Sequence, residues 1–88
     1  MVSKKEIYRE VKKILIDVFE FEENRLTPNK HLYQDLGLDS LDFIDLSVKF
    51  GADIGVKFTE EDLRPIRTIS DIVEVVHKKL NAGHFLES

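Results

Sequence analysis

Apolar residues recur at the three- and four-residue spacing of a helix face in three separate stretches of this chain, and no stretch alternates convincingly as a β-strand does. The first stretch predicts a helix from about Ser3 to Glu20, opened by a capping box of Ser3 and Glu6. Its core-facing stripe is Ile7, Val11, Ile14, Leu15 and Val18. Because no strand pattern competes with this spacing, we expect an all-α fold.

A second helix is expected to begin at Ser40 and to end near Phe50 or Asp53, because Gly51 and Gly55 interrupt the pattern. The connection before it, over 21–39, is long and rich in turn-forming residues. Three spaced leucines predict that this loop is ordered against the core. They are Leu26, Leu32 and Leu36.

Two further helices are expected in the remainder of the chain. Thr59 is the predicted cap of a short helix over 60–64, and Thr68 or Ser70 is the predicted cap of a last helix over 69–80. The fold class that follows is an antiparallel bundle of three main helices plus one short helix, with a long loop between the first and second helices.

A chain of 88 residues, 42% of them hydrophobic, can build one core and has no room for a second. We therefore expect residues 1–88 to form a single domain. Its core should lie within about 3–80, and residues 81–88 are expected to form a frayed tail.

The second helix carries apolar residues on two nearly opposite faces. At about 100° per residue, a strip of polar residues separates the two apolar stripes. The first stripe is Leu41, Ile44 and Val48, the second is Phe43, Leu46 and Phe50, and the polar strip is Asp42, Asp45 and Lys49. A helix in a small domain needs only one buried face, so the first stripe is predicted to contact partners. The alternative is a helix enclosed by the core on both sides.

Negative charge is concentrated in the middle of the chain, although the formal net charge is only −4. Residues 35–62 contain eight acidic and two basic residues, whereas 1–34 and 63–88 are each slightly basic. An acidic middle argues against nucleic acid as a partner, because the phosphates would be repelled. It favours partner proteins with basic surfaces, unless the charge serves only solubility.

The chain has no cysteine, so it offers neither a disulfide nor a thiolate metal site. No apolar run approaches the roughly 20 residues of a membrane span, and residues 1–6 lack the apolar stretch of a signal peptide. We therefore expect a soluble cytoplasmic protein that does not associate with membranes. Separately, we expect the chain to be a monomer.

The segment Asp35-Leu36-Gly37-Leu38-Asp39-Ser40-Leu41-Asp42 ends a loop and begins a helix. Ser40 is predicted to cap that helix, because its oxygen can accept a hydrogen bond from an orphan backbone N–H. The position would also suit a phosphate, since first-turn N–H groups and the helix dipole favour an anion. These eight residues closely resemble the prosthetic-group site of acyl carrier proteins, and the resemblance extends from about Lys5 to Leu80.

The resemblance implies that Ser40 is the attachment point of a 4′-phosphopantetheine arm and not a catalytic nucleophile. A phosphopantetheinyl transferase with bound Mg²⁺ would move the arm from coenzyme A, and Asp39 would help to bind that transferase or its metal. The thiol of the arm would carry acyl groups as thioesters to enzymes of fatty-acid, lipid or polyketide biosynthesis. By this resemblance the chain is not an enzyme, and it has neither catalytic residues nor a metal site of its own.

The partners implied by the resemblance are acyl-transferring and synthase enzymes with basic docking surfaces. The residues expected to meet them are Leu41, Ile44 and Val48, with Asp39, Asp42 and Asp45. A cavity for the acyl chain would be lined by Leu46, Phe50, Ile54, Phe58, Ile66, Ile69 and Ile72. The run Lys49-Phe50-Gly51-Ala52-Asp53 departs from the glutamate cluster usual in the family, so the partner set is expected to differ from that of a housekeeping fatty-acid carrier.

Two other classes of function compete with this interpretation. The chain could be a non-enzymatic, acidic helical protein-interaction module in which Ser40 is only a helix cap. A small serine hydrolase is disfavoured, because no histidine lies near Ser40 in sequence and a Gly-x-Ser-x-Gly elbow is missing. The acids at 35, 39, 42 and 45 do not match an EF-hand calcium loop.

Overall fold

The computed structural model describes residues 3–82, which form four α-helices and one short 3₁₀ turn. The α-helices are α1 (Lys4–Phe19), α2 (Ser40–Ile54), α3 (Glu60–Leu63) and α4 (Ile69–Ala82), and the 3₁₀ turn is Glu23–Arg25. Within these residues there is no strand, only an isolated antiparallel bridge between His31 and Thr68. The predicted all-α class is confirmed. Helix α4 is two residues longer than predicted, and the rest of the predicted tail, 83–88, lies outside the described residues.

Helix α1 packs against both α4 and α2, and it begins with the predicted capping box. The Ser3 hydroxyl accepts a hydrogen bond from the Glu6 N–H at 3.2 Å, and the Glu6 carboxylate accepts one from the Ser3 N–H at 3.2 Å. Four members of the predicted apolar stripe are buried, namely Ile7, Val11, Ile14 and Leu15. The prediction for Val18 is wrong, because this residue lies in the last turn and its side chain is 39% exposed.

Glu20 ends α1 in the left-handed conformation, with φ of 60°. Glycine adopts this conformation without the Cβ strain that other residues pay. Replacing Glu20 with glycine should therefore raise the free energy of unfolding by about 0.5–1 kcal/mol. Chemical denaturation measures the change. Glu20→Ala is the matched control, because it removes the carboxylate and keeps the Cβ; an equal gain from alanine would contradict the strain explanation.

The loop between α1 and α2 is held against the core, as its leucines predict. Leu26, Leu32 and Leu36 are buried, and the Tyr8 hydroxyl donates a hydrogen bond to the Leu26 carbonyl. The Leu32 N–H donates to the Arg67 carbonyl at 2.8 Å, which ties the loop to the residues that precede α4. The chain therefore arrives at α2 from an anchored position.

Helix α2 ends at Ile54 with Gly55 in the left-handed conformation (φ 85°), so the predicted end near Phe50 or Asp53 is slightly early. Gly51 lies inside the helix and does not break it. A Cβ added at Gly51 would lie 3.0 Å from the Val56 carbonyl oxygen, which is tighter than ordinary van der Waals contact. Gly51 thus permits the chain leaving α2 to fold back closely against the helix.

The short helix α3 is fixed at its first turn by Thr59 and Asp62, which form the expected capping box. The Asp62 carboxylate also pairs with Lys79 of α4, with 2.7 Å between Oδ2 and Nζ. Partial burial alone would raise the pKa of Asp62. The hydrogen bonds from Lys79 and Thr59 and the Lys79 charge outweigh it and hold the pKa below its ordinary value of 3.8.

A carboxyl group with a lowered pKa stabilises the fold at a pH above its unfolded pKa, and this contribution is lost as the pH falls through the folded value. Asp62→Asn should lower the free energy of unfolding at pH 7 by less than about 1 kcal/mol, because the ion pair is partly exposed. The difference from wild type should shrink between pH 7 and strongly acidic solution, as the pH falls through the lowered pKa of the folded state, because Asp62 is then protonated in both the folded and the unfolded protein. Urea denaturation across this pH range measures it, and a difference that persists in acid would contradict the assignment.

Candidate functional site

The first turn of α2 is capped by Asp39, and Ser40 is the first helical residue. Asp39 Oδ1 accepts a hydrogen bond from the Asp42 N–H at 2.9 Å, and Asp42 Oδ2 accepts one from the Asp39 N–H at 3.2 Å. The prediction that Ser40 caps the helix is therefore wrong. Aspartate and serine are comparable N-caps, and only the aspartate has an acidic partner three residues later that completes a reciprocal pair.

The Ser40 side chain is exposed, and its hydroxyl makes no hydrogen bond within the described part of the chain. The backbone N–H groups of Ser40 and Leu41 also make none there. These groups lie at the positive end of the helix dipole, where a phosphate oxygen could accept from them. The geometry therefore fits a phosphodiester on the Ser40 oxygen, and the capping of α2 does not depend on that oxygen.

The residues before Ser40 hold it outside the core. Leu36 and Leu38 are buried, and Gly37 between them turns the chain with φ of 74°. The Asp35 carboxylate accepts a hydrogen bond from the His31 N–H at 2.7 Å, and Gly37 donates its N–H to the Tyr33 carbonyl. Because the two leucines anchor the loop on either side of its turn, the next two residues are presented to solvent.

The two apolar stripes of α2 have different environments. Leu41, Ile44 and Val48 are 71%, 53% and 68% exposed, respectively. On the opposite side the residues are buried, namely Phe43, Leu46 and Phe50. The alternative of a helix enclosed by the core on both sides is therefore wrong. We refer to Leu41, Ile44 and Val48 as the exposed stripe.

Acidic side chains accompany the exposed stripe along α2. Asp39 and Asp45 are exposed, and Asp42 is half-buried with one oxygen engaged in the capping box. The one basic residue of the helix, Lys49, pairs with Asp53 at 3.4 Å. The surface around the stripe is therefore apolar along its centre and negative along its edge.

The residues predicted to line an acyl cavity lie together in the core and at its edge. Five are buried, namely Leu46, Phe50, Ile66, Ile69 and Ile72. Ile54 and Phe58 are half-buried and pack against them. The Phe50 and Phe58 rings lie with their centroids 6.2 Å apart. These residues form an apolar interior behind α2, on the side away from the exposed stripe.

Other chemistry finds little support near Ser40. The His31 Nδ1 accepts hydrogen bonds from the N–H groups of Tyr33 and Gln34, so the imidazole serves the loop backbone. Within residues 3–82, no group of three or more histidine, cysteine, aspartate or glutamate side chains could hold a metal ion. None of the helices formed by these residues combines the length and apolarity needed to span a membrane.

Comparison with known proteins yields one consistent family. Residues 9–76 match the family model described as a phosphopantetheine attachment site. The chain is 41% identical over 80 residues to an acyl carrier protein of Thermotoga maritima, an alignment that covers 91% of this chain and 99% of the relative. An acyl carrier protein of Coprothermobacter proteolyticus is 35% identical over 79 residues, covering 90% of this chain and 96% of the relative.

A solved structure named as an acyl carrier protein of Mycobacterium tuberculosis superposes with a TM-score of 0.74. The superposition covers 81% of this chain and 95% of the mycobacterial chain. The two are 21% identical in sequence, so the match supports the fold alone. The family model and the sequence relatives carry the assignment beyond the fold. The chain belongs to the acyl carrier protein family, whose members hold a covalently attached phosphopantetheine group.

Proposed function

We propose that Ser40 is the residue that carries the 4′-phosphopantetheine arm, and that the chain delivers acyl groups held on this arm as thioesters. The observation that supports the assignment is the Ser40 hydroxyl, which is exposed at the start of α2 and makes no hydrogen bond with any residue of 3–82. The arm supplies a thiol, and the chain, which contains no cysteine, has none of its own. The protein would be a carrier and not an enzyme.

Loading is a phosphoryl transfer in which Ser40 is the acceptor. The Ser40 oxygen would attack the phosphorus next to pantetheine in coenzyme A. A new O–P bond then replaces the phosphoanhydride bond, adenosine 3′,5′-bisphosphate leaves, and the hydroxyl proton passes to a base of the transferase. The backbone N–H groups of Ser40 and Leu41, which have no acceptor among the described residues, would favour the resulting phosphodiester anion. Asp39 would take part in two ways, by capping α2 and by meeting the transferase or its Mg²⁺.

Partner recognition is proposed to involve the exposed stripe and its acids. Leu41, Ile44 and Val48 would be covered by a partner, while Asp39, Asp42 and Asp45 would meet lysine or arginine side chains. Apolar burial would supply affinity, and the charges would raise the rate of encounter. The partners would be the transferase and enzymes of fatty-acid, lipid or polyketide biosynthesis with basic docking surfaces.

The acyl chain is proposed to shelter in the apolar interior behind α2. Leu46, Phe50, Ile54, Phe58, Ile66, Ile69 and Ile72 would line this space. A cytoplasmic location completes the proposal, because a terminal thiol is kept reduced there and remains free to form thioesters.

The proposal is tested by loading the wild-type chain with coenzyme A, Mg²⁺ and a broad-specificity phosphopantetheinyl transferase. Intact-mass analysis should show the mass of one arm, and peptide fragmentation should place it on the peptide that contains Ser40. Omitting Mg²⁺ is the control for enzymatic transfer. An unmodified chain, or an arm on another serine, would overturn the assignment.

A further inference from the structure

The outer surface of α1 carries basic residues that no part of the proposed function uses. At about 100° per residue, Lys5, Arg9, Lys12 and Ile16 fall within one strip of the helix, and Lys13 borders it. We call these four basic residues and Ile16 the basic strip. It lies on the first helix, whereas the acids that border the exposed stripe lie at the N-cap of α2 and along that helix.

Most of the basic side chains in the basic strip are available to bind a partner. Lys5, Arg9 and Lys13 are exposed and make no ion pair within the described part of the chain. Lys12 is the exception, because its Nζ lies 3.3 Å from Glu23 and 4.7 Å from the centre of the Tyr8 ring. The strip thus presents three free positive charges next to a tethered one.

A shallow groove of about 200 Å³ runs through the basic strip. Its lining residues are Arg9, Lys12, Lys13, Ile16, Asp17 and Glu23. Ile16 is half-buried and provides an apolar contact between the cations. A fitting occupant is a helix with apolar residues along its centre and acids along its edge.

The chain itself possesses such a helix. The exposed stripe is the apolar centre, and Asp39, Asp42 and Asp45 are the acidic edge. Residues 39–48, from the N-cap of α2 onward, extend about 14 Å and residues 5–16 of α1 extend about 16 Å, so the two faces match in length. The opposite charges of the two faces would orient two such helices and speed their encounter.

We propose that the basic strip of one copy docks the exposed stripe of a second copy. The two surfaces are different, so the contact is head to tail. The interface is small and the copies share a negative net charge, so we expect a weak complex with a Kd on the order of 1 mM. Self-association would cover the stripe beside Ser40 and would compete with partner enzymes, although it does not require Ser40 to carry an arm.

An anionic membrane is the other surface that could attract these cations, and the structure favours it less. A bilayer is a broad surface, so it would also meet the exposed carboxylates of Glu6, Glu10 and Asp17 on the neighbouring strip of α1, whereas a single docked helix would contact mainly the basic strip. Ile16 is the strip's one apolar side chain, which is little for insertion into a bilayer.

Analytical ultracentrifugation of the unmodified full chain, from about 10 µM to about 2 mM, tests the proposal. The weight-average mass should rise with concentration at low salt and fall back at about 1 M salt. Arg9→Glu/Lys13→Glu should weaken self-association at least about tenfold. Lys57→Glu/Arg64→Glu is the matched control, because it makes the same change in net charge at exposed sites elsewhere and should retain more association.

A mixing experiment separates loss of the interface from loss of the fold. Asp45→Lys/Val48→Lys alters the exposed stripe and its acidic edge and leaves the capping box intact. Measured alone, this variant should not self-associate. Mixed with Arg9→Glu/Lys13→Glu, it should form a heterodimer, because each variant retains the surface that the other lacks. A wild-type chain that stays monomeric at about 2 mM, or a mixture that fails to associate, would overturn the proposal.

Binding of monomeric wild type to phosphatidylglycerol vesicles would assign the basic strip to membranes instead.

Discussion

Ser40→Ala should receive no arm from a phosphopantetheinyl transferase, and it should nevertheless unfold at the same denaturant concentration as wild type. Alanine removes the only oxygen proposed to accept the phosphoryl group. It removes no capping interaction, because the hydrogen bonds at the start of α2 belong to Asp39 and Asp42. We therefore expect complete loss of loading with a change in stability within about 0.5 kcal/mol.

The matched controls for this prediction lie on α2 and at its N-cap. Ser47→Ala removes another α2 hydroxyl, one that donates to the Ile44 carbonyl at 2.8 Å, and it should load normally. Asp39→Ala removes the cap and should cost about 1 kcal/mol. If Ser40→Ala lowered the free energy of unfolding by about 1 kcal/mol and Asp39→Ala did not, Ser40 would be the helix cap. That result would favour the alternative function, an interaction module in which Ser40 only caps the helix. Loading of Ser40→Ala would exclude Ser40 as the attachment residue.

Truncating two leucines that lie five residues apart in α2 should affect the stability of the fold very differently. Leu46 is fully buried and Leu41 is 71% exposed, although both belong to α2. Leu46→Ala should lower the free energy of unfolding by about 3 kcal/mol, because it removes buried methyl groups and leaves a cavity. Leu41→Ala should change that free energy by less than about 0.5 kcal/mol.

Loading kinetics should reverse the order of the two variants. Leu41→Ala is expected to lower kcat/KM for the transferase by about tenfold, because it removes apolar area that a partner would cover. Leu46→Ala should leave kcat/KM near wild type at temperatures where it is folded. Denaturation curves and initial rates on the same preparations measure both effects. Equal kinetics for wild type and Leu41→Ala would contradict a docking role for the exposed stripe.

The helices of this chain could be predicted from sequence because their apolar spacing is regular. In α2 the angular position of each residue follows from the helix period. The placement of Leu41 and Leu46 on different faces of the helix was therefore predictable without knowing the rest of the fold. The capping boxes at Ser3 and Thr59 were predictable for a related reason, since both partners lie within one turn.

The features that were missed depend on choices that local pattern leaves open. Asp39 and Ser40 are adjacent residues of similar capping strength, and only the reciprocal bond with Asp42 decides between them. Gly51 was expected to break the helix because glycine has a low helix propensity. What favours glycine there is the close approach of the Val56 carbonyl oxygen, a tertiary contact that local sequence does not show. Val18 has the correct spacing for burial, and periodicity does not show where the packing surface ends.

The most direct measurement is the intact mass and fragmentation pattern of the protein purified from the cells that naturally make it. We predict a population that carries one phosphopantetheine group, with or without an acyl thioester, attached through the Ser40 oxygen. A chain that is wholly unmodified in those cells, or that carries the group at another residue, would contradict the proposal that Ser40 is its tether.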